Sequence, residues 1–380
     1  MIITKPELCT GCTVCEKSCP KGAIQMKPNN EGFLYPEISE ELCVECGICA
    51  KKCPSNNLPE QERLEEPQIF AAKLKDDDAL LKSASGGMFT ALSDYVLDMG
   101  GTVYGAVFDK DFNVHHIKAE TKEDRDRMRG SKYTQSSLLD TLTSIKSDLE
   151  NGRKVLFTGT GCQCAGVRRF LEGTDCTNLF VADLICEGTP SPRVFKDYLK
   201  YIAKKHKDKV LDVKFRDKVN GWTGQTMSVK MENSTYYKSS KHDAFYELFF
   251  RNVILRPSCH NCPYATMDRQ GDVTIGDFWG IDKINPDFMD DKGVSLLIVN
   301  TEKGKALLGD IKDMLHLSAQ TLEDAKKRQK NLYRPSPKSA RREEFWQNYE
   351  KKGIKFVLKK YTEEGFLVRV KRGVKKLIRK

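Results

Sequence analysis

No stretch of this 380-residue sequence is apolar over the length that a membrane-spanning helix needs, and no charged-then-apolar leader opens it. Neither export nor a membrane span is expected, and the chain reads as cytoplasmic. Histidine is scarce: there are six, and they form no ligand set. His115 and His116 are adjacent in what reads as a strand, so they face opposite ways. No Ser-His-Asp set and no paired carboxylates stand out, which leaves hydrolytic chemistry without a candidate. A broad basic face is missing too. The net charge is +10, but residues 351–380 hold twelve Lys/Arg against two Asp/Glu, leaving 51 basic and 51 acidic side chains over residues 1–350. A neutral body offers nucleic acid no footprint, so nucleic acid is excluded as a partner.

Cysteine is the residue in excess, with fourteen in all. Without an export signal, reducing conditions favour metal ligation over a disulfide framework. Eight cysteines fall in two near-identical runs, Cys9-x-x-Cys12-x-x-Cys15-x-x-x-Cys19-Pro20 and Cys43-x-x-Cys46-x-x-Cys49-x-x-x-Cys53-Pro54. Three thiolates two residues apart wrap one face of a cubane, and the fourth, followed by proline, reaches to the other cluster. The expected 4Fe-4S ligand sets are therefore crossed: Cys9, Cys12, Cys15 and Cys53 for one, and Cys43, Cys46, Cys49 and Cys19 for the other. Zinc sites pair two Cys-x-x-Cys units across a longer gap and do not require this spacing.

Residues 1–57 read as a small, bacterial-type two-cluster ferredoxin module, with a hairpin-like connection around Asn29-Asn30-Glu31-Gly32. Residues 58–67 read as a linker. From 68 to 332 the pattern alternates helices and apolar strands, a mixed α/β (α+β) domain. Strand candidates are 102–108, 154–158, 178–185, 210–215, 227–231, 272–275 and 294–299, and helix candidates are 137–151, 193–206, 242–251 and 303–314. Residues 333–380 read as a connector and a basic amphipathic helical tail. In it Ile354, Leu358, Tyr361, Phe366, Val370, Val374 and Leu377 recur three to four apart among lysines, a pattern suited to an anionic membrane surface or an acidic protein partner.

Six cysteines lie in the large domain. Cys162 and Cys186 each follow a strand, and Cys259-x-x-Cys262 has ligand spacing by itself. These four permit a third cluster, a zinc cage or buried free thiols. Two glycine-bearing turns could cradle phosphate: Ser83-Ala-Ser85-Gly86-Gly87 before a helix, and Gly159-Thr160-Gly161 after a strand. Gly130-Ser131-Lys132-Tyr133 offers a cation beside an aromatic ring. Gly276-Asp277-Phe278-Trp279-Gly280 is an unusual turn, whose tryptophan needs a partner for its N–H.

In order and spacing these blocks resemble the beta subunits of coenzyme F420 hydrogenases and dehydrogenases with a ferredoxin-like N-terminal extension. The resemblance runs to about Asn300. It rests on Ser83–Gly87, Gly101–Gly105, Gly130–Tyr133, Gly159–Gln163, Asp183–Pro190, Phe215–Asp217, and above all on Arg251-Asn-Val-Ile-Leu-Arg256-Pro-Ser-Cys259-x-x-Cys262 followed by Asp272–Gly280. It implies an FAD-containing oxidoreductase with a third 4Fe-4S cluster on Cys162, Cys186, Cys259 and Cys262. It implies flavin contacts from Ser85, Gly86, Gly87, Ser131, Lys132, Tyr133, Gly159 and Thr160. Cys164 and Cys176 fall outside the motifs as free thiols. Where the family usually has proline this chain has Gly161, and where it has histidine this chain has Glu187. Lys132 and Glu187 are the candidate catalytic side chains, the lysine to stabilise a reduced flavin and the acid in place of a proton donor.

The expected activity is an iron-sulfur flavoprotein relay, from a ferredoxin or other redox partner through the clusters to FAD, ending in hydride exchange with an organic substrate or deazaflavin-type coenzyme. The alternative is a non-catalytic electron-transfer subunit of a larger complex.

Overall fold

A computed structural model of the chain describes residues 3–138 and 140–365. The cysteine-rich module is small because few apolar residues separate its cysteines. Strands β1 (Ile24–Pro28) and β2 (Leu34–Ile38) form one antiparallel hairpin. Its turn is closed by Asn29, whose Oδ1 accepts the N–H groups of Glu31 and Phe33.

The large domain is built on one nine-stranded sheet. Its strands are β3 (Gln68–Leu74), β4 (Thr102–Phe108), β5 (Val114–Ala119), β6 (Ser136–Ser137), β7 (Val155–Thr160), β8 (Leu179–Leu184), β12 (Val273–Asp277), β13 (Ser295–Val299) and β14 (Leu315–Gln320). They lie in the order β14-β3-β13-β12-β8-β7-β4-β5-β6. The four central strands, β12, β8, β7 and β4, are parallel, and antiparallel strands extend the sheet on both sides. The central strands are mostly apolar, as burial on both faces requires, and their buried polar residues include Thr102, Thr158, Asp183 and Thr274. A separate antiparallel sheet, β9 (Val210–Asp217), β10 (Thr226–Met231) and β11 (Thr235–Ser239), packs with the helices Pro192–His206 and Ala244–Phe250 around Phe195, Phe215 and Phe245.

The 58–67 segment, read as a linker, runs along the body of the large domain: Leu64 N–H donates to Asn300 O at 2.8 Å, and Arg63 Nε to Arg269 O at 3.0 Å. The start of the tail packs into a protein core. The helical segment Arg342–Tyr361, broken at Gly353, buries Phe345, Trp346, Tyr349, Val357, Leu358 and Tyr361 in the cluster that holds Phe195 and Phe245. Apolar residues three to four apart serve protein packing there because the neighbouring helices are equally apolar. Phe366, Val370, Val374 and Leu377 lie outside the described residues. No helix among the described residues is long and apolar enough to cross a membrane.

The module is docked firmly on the large domain. Val14 is fully buried in a core shared with Leu142, Phe157 and Val167. Arg342 forms an ion pair with Glu31, Ser191 Oγ donates to Glu31 O at 2.5 Å, Arg169 Nη2 to Lys51 O at 2.6 Å, and Tyr264 Oη to Pro54 O at 3.1 Å.

Candidate functional site

Neither cysteine run closes on itself. Cys9, Cys12 and Cys15 share a cavity with Cys53, and Cys43, Cys46 and Cys49 share one with Cys19. In each run the third cysteine sits in a one-turn helix, Val14–Lys17 or Ile48–Lys51, and the fourth lies just beyond its end, where proline follows. That short stop carries Cys19 and Cys53 across. Burial raises the Cys15 thiol, and the neighbouring Cys12, Cys9 and Cys53 raise it further. Burial likewise raises Cys49, with Cys19 and Cys46 adding to it. Among the described residues no three His, Cys, Asp or Glu side chains stand as close as a single ion would require, so shared cavities and electrostatics define the sets. All fourteen cysteines are unpaired.

The third set assembles at strand ends. Cys162 lies on the first turn of the helix Gly161–Phe170 after β7, Cys186 follows β8, and Cys259 and Cys262 sit in and after the 3-10 turn Pro257–Asn261. Burial lifts Cys162, Cys259 and Cys262 to about 11 and Cys186 well above its ordinary value, and each is raised further by another member of the set. Donors already face the sulfurs: Thr189 N–H donates to Cys259 Sγ at 3.2 Å and Gly188 N–H to Cys186 Sγ at 3.3 Å, while Thr160 Oγ1 lies 3.2 Å from Cys162 Sγ. Four half-buried thiols gathered at the strand ends and served by such donors fit a thiolate-ligated centre that replaces their protons. A buried ion pair, Arg269 with Asp183 at 3.0 Å, fixes the frame: Arg269 also donates to Leu184 O and Tyr264 O, tying the strand before Cys186 to the loop after Cys262. Cys164 points away into the core, its Sγ 3.5 Å from Gly159 O. Gly161 admits Tyr264, whose Cβ would stand 2.9 Å from a side-chain carbon at that position.

A cavity of about 370 Å³ opens at the carboxyl ends of β7, β8 and β12, where open α/β sheets bind ligands. It brings together Ser85, Gly87, Ser131, Lys132, Tyr133, Gly159, Thr160 and Glu187, together with Cys162 and Cys186. Gly86 sits behind this wall, its N–H on Ser295 Oγ at 2.9 Å. The two glycine turns differ. The helix Met88–Asp98 starts at Gly87 in the left-handed region (φ 86°) with no side-chain cap, so its first N–H groups and positive end face the cavity. The Gly159-Thr160 turn is already engaged, because Gln163 Oε1 accepts Thr160 N–H at 3.1 Å.

Lys132 lines the cavity, but its ammonium is turned back into its own loop. Nζ donates to the carbonyls of Arg127, Met128, Arg129 and Gly130 at 2.8–3.2 Å. Burial pushes its pKa down to about 7, while the four carbonyls reward the protonated form. The ammonium braces the 127–130 loop from inside. Burial raises the Glu187 carboxyl, and Asp277 adds to the rise.

The sequence reading missed two other features. His116 is buried, with Nδ1 2.8 Å from Ser136 Oγ and Nε2 3.0 Å from Thr158 O, and burial lowers its pKa to about 4. Arg216 pairs with Asp277 and lies over the Trp279 ring at 5.1 Å; Trp279 in turn stacks on Trp222 at 5.0 Å. The tryptophan N–H that Asp277 satisfies is that of Trp222, at 2.8 Å. Only the odd composition of 276–280 hinted at this platform.

A dicluster module fixed beside a cavity at the carboxyl edge of a mixed sheet defines an iron-sulfur, electron-transferring oxidoreductase subunit, and residues 8–57 match the 4Fe-4S dicluster domain. Residues 69–143 match the N-terminal part, and residues 152–325 the C-terminal part, of the coenzyme F420 hydrogenase/dehydrogenase beta subunit. The chain belongs to that family. It is 22% identical over 339 residues to one of the subunits of the F(420)H(2) dehydrogenase of Methanosarcina mazei, spanning 85% of this chain and 87% of the relative. A chain of the F420-reducing [NiFe] hydrogenase complex of Methanosarcina barkeri superposes with a TM-score of 0.48 at 20% identity, covering 70% of this chain and 88% of that one.

Proposed function

We propose that the chain passes single electrons between an external redox protein and a flavin in the large cavity, where they are exchanged as hydride with an organic substrate. The observation that carries this reading is that Cys162 and Cys186 belong both to the third cysteine set and to the cavity wall. That set also adjoins the module: a side-chain carbon at Gly166, one turn after Cys162, would meet Cys12 Cβ at 3.1 Å, and Tyr264 lies among Cys162, Cys12, Cys262 and Cys53. The sets Cys19/Cys43/Cys46/Cys49, Cys9/Cys12/Cys15/Cys53 and Cys162/Cys186/Cys259/Cys262 then run in sequence from surface to cavity.

Bound clusters supply one-electron relay, and bound FAD supplies the exchange of two single electrons and a proton for one hydride. The rest is the work of the chain's own groups. The uncapped start of the helix at Gly87 and the nearby Arg129 favour a pyrophosphate. Ser131, Tyr133 and the Gly159-Thr160 turn border the same space, and Glu187 follows Cys186 directly on its wall. Lys132 holds the 127–130 loop. The entry side has a matching surface: Leu42 and Val44 are 52% and 59% exposed around the exposed Cys46, among Glu40, Glu41 and Glu45, which suits a partner with a basic rim.

The M. mazei relative carries F(420)H(2) dehydrogenase in its name, so reduced coenzyme F420 heads the donors to test, with NAD(P)H after it. Anaerobically purified full-length protein is mixed with each donor and oxidised ferredoxin, and ferredoxin reduction is followed. Turnover with a hydride donor supports the reading. Protein without iron and visible absorption refutes it, and cluster reduction by added reduced ferredoxin with no turnover on any donor favours the electron-transfer-subunit alternative.

A further inference from the structure

Arg256 joins two of the cysteine sets. Its backbone belongs to the third: Arg256 N–H donates to Thr189 O at 2.9 Å, and Cys259 N–H donates to Arg256 O at 3.0 Å. Its side chain crosses into the ferredoxin-type module. Nε donates to Cys9 O at 2.6 Å, Nη2 to Leu34 O at 2.9 Å and to Cys9 Sγ at 3.4 Å, and Nη1 to Gln135 Oε1 at 3.1 Å. Tyr35 and Phe33 rings lie 4.2 and 5.5 Å from Cζ. The residue is 1% exposed. None of these acceptors is a carboxylate.

A guanidinium does not lose its proton in a protein, and a buried charge without a counter-charge is strongly unfavourable. The carbonyls bonded to Arg256 are neutral, and the one bonded group that can carry negative charge is the Cys9 sulfur. The same positive charge also favours the thiolates of Cys162 and Cys259. A cluster gains negative charge on reduction, so a fixed, dry cation beside it favours the reduced state. The charged residue that lines the outer set's cavity is the exposed Lys21, whose charge water and salt screen.

We propose that Arg256 is a positioning residue that holds the inner centre (Cys9, Cys12, Cys15, Cys53) at a higher reduction potential than the outer one (Cys19, Cys43, Cys46, Cys49). One electron arriving at the outer centre then passes to the inner, oxidising the first and reducing the second, with no bond or proton moved. This rests on the relay reading above.

The test is an EPR-monitored redox titration of the full-length, anaerobically purified holoprotein, with the inner signal identified by its loss in Cys9→Ser. Arg256→Gln is expected to shift the inner equilibrium toward the oxidised form by about tenfold, about 59 mV for one electron, and to leave the outer signal in place. Arg256→Lys is expected to retain most of the wild-type potential. Gln135→Glu covers the case in which Arg256→Gln loses iron. It sets a carboxylate on Nη1 at the same geometry, and the Nε2 it replaces is buried without a partner, so the same downward shift is expected. An inner potential unchanged in Arg256→Gln, or in Gln135→Glu where the first variant is apo, overturns the proposal. Iron content separates the two readings: wild-type protein with about eight irons, two cubanes, would break the relay at the third set yet leave the Arg256 effect measurable at Cys9.

Discussion

Replacing Gly86 by alanine is expected to empty the flavin site proposed above before it unfolds the protein. A Cβ there meets Ala72 O at 2.2 Å and Ser295 N at 2.4 Å. Both are backbone atoms of the paired strands β3 and β13, where Ser295 opposes Ala72, so neither can yield. The loop must retreat, taking the Leu74 N–H bond to Gly86 O and the Gly86 N–H bond to Ser295 Oγ, each 2.9 Å. Two hydrogen bonds at about 1 kcal/mol each and overpacking of about 1 to 3 kcal/mol give a loss of about 3 to 5 kcal/mol. That is a large share of a typical domain stability. Gly87→Ala meets a side chain rather than backbone, Leu74 at 2.4 Å from Cδ1 and 2.7 Å from Cγ, and adds left-handed strain at φ 86°, about 1 to 2 kcal/mol. Gly100→Ala, with φ 72° and nothing within 4 Å, carries the strain alone. Thermal melts and the flavin-to-protein ratio after desalting should rank the three with Gly86→Ala worst and Gly100→Ala mildest, and only the first two should lose flavin. A Gly86→Ala protein with wild-type flavin and melting temperature would refute the reasoning.

Four further outcomes are expected. Cys53→Ser should alter the same EPR component as Cys9→Ser, and Cys19→Ser the same one as Cys46→Ser; pairing of Cys53 with Cys43 instead would contradict the crossed sets. His116, neutral when folded with a pKa near 4, is protonated only in the unfolded chain between pH 4 and 6.5. Stability should therefore fall by about 3 kcal/mol as pH drops through that window, and His116→Gln should flatten the fall in denaturant titrations. A chain ending at Glu350 loses the buried Val357, Leu358 and Tyr361 and should melt far lower, at about 2 to 5 kcal/mol for each large core side chain. One ending at Gly365 keeps those three side chains and is the proper control for anionic-liposome sedimentation. Reversing Glu40, Glu41 and Glu45 to lysine should slow reduction by a basic-rimmed redox protein at low salt and leave dithionite reduction unchanged; equal rates would discard the docking surface.

Spacing made the module legible, because ligand geometry is written locally: Cys-x-x-Cys-x-x-Cys-x-x-x-Cys-Pro carries the crossing of Cys19 and Cys53 within one short turn. The central parallel strands were legible as largely apolar runs, and four helices were placed to within a few residues. β3 and β14 were not, since Gln68–Leu74 and Leu315–Gln320 mix polar with apolar residues on strands at or near the sheet edge. The orientation of Lys132 was not legible, because sequence cannot tell which way an ammonium turns, and here it meets four nearby carbonyls. The tail's stripe was real but ambiguous, since lipid and a protein core reward the same periodicity. His116 and Arg216 were visible as a strand residue and as part of the Phe215–Asp217 block, but their partners were not, as those come from residues far along the chain.

The central claim is a relay of three clusters ending at a flavin. Counting iron, sulfide and flavin in protein purified under strict anaerobiosis tests it most directly. About twelve irons and one flavin per chain are expected. About eight irons would leave Cys162, Cys186, Cys259 and Cys262 without a cluster and would contradict it.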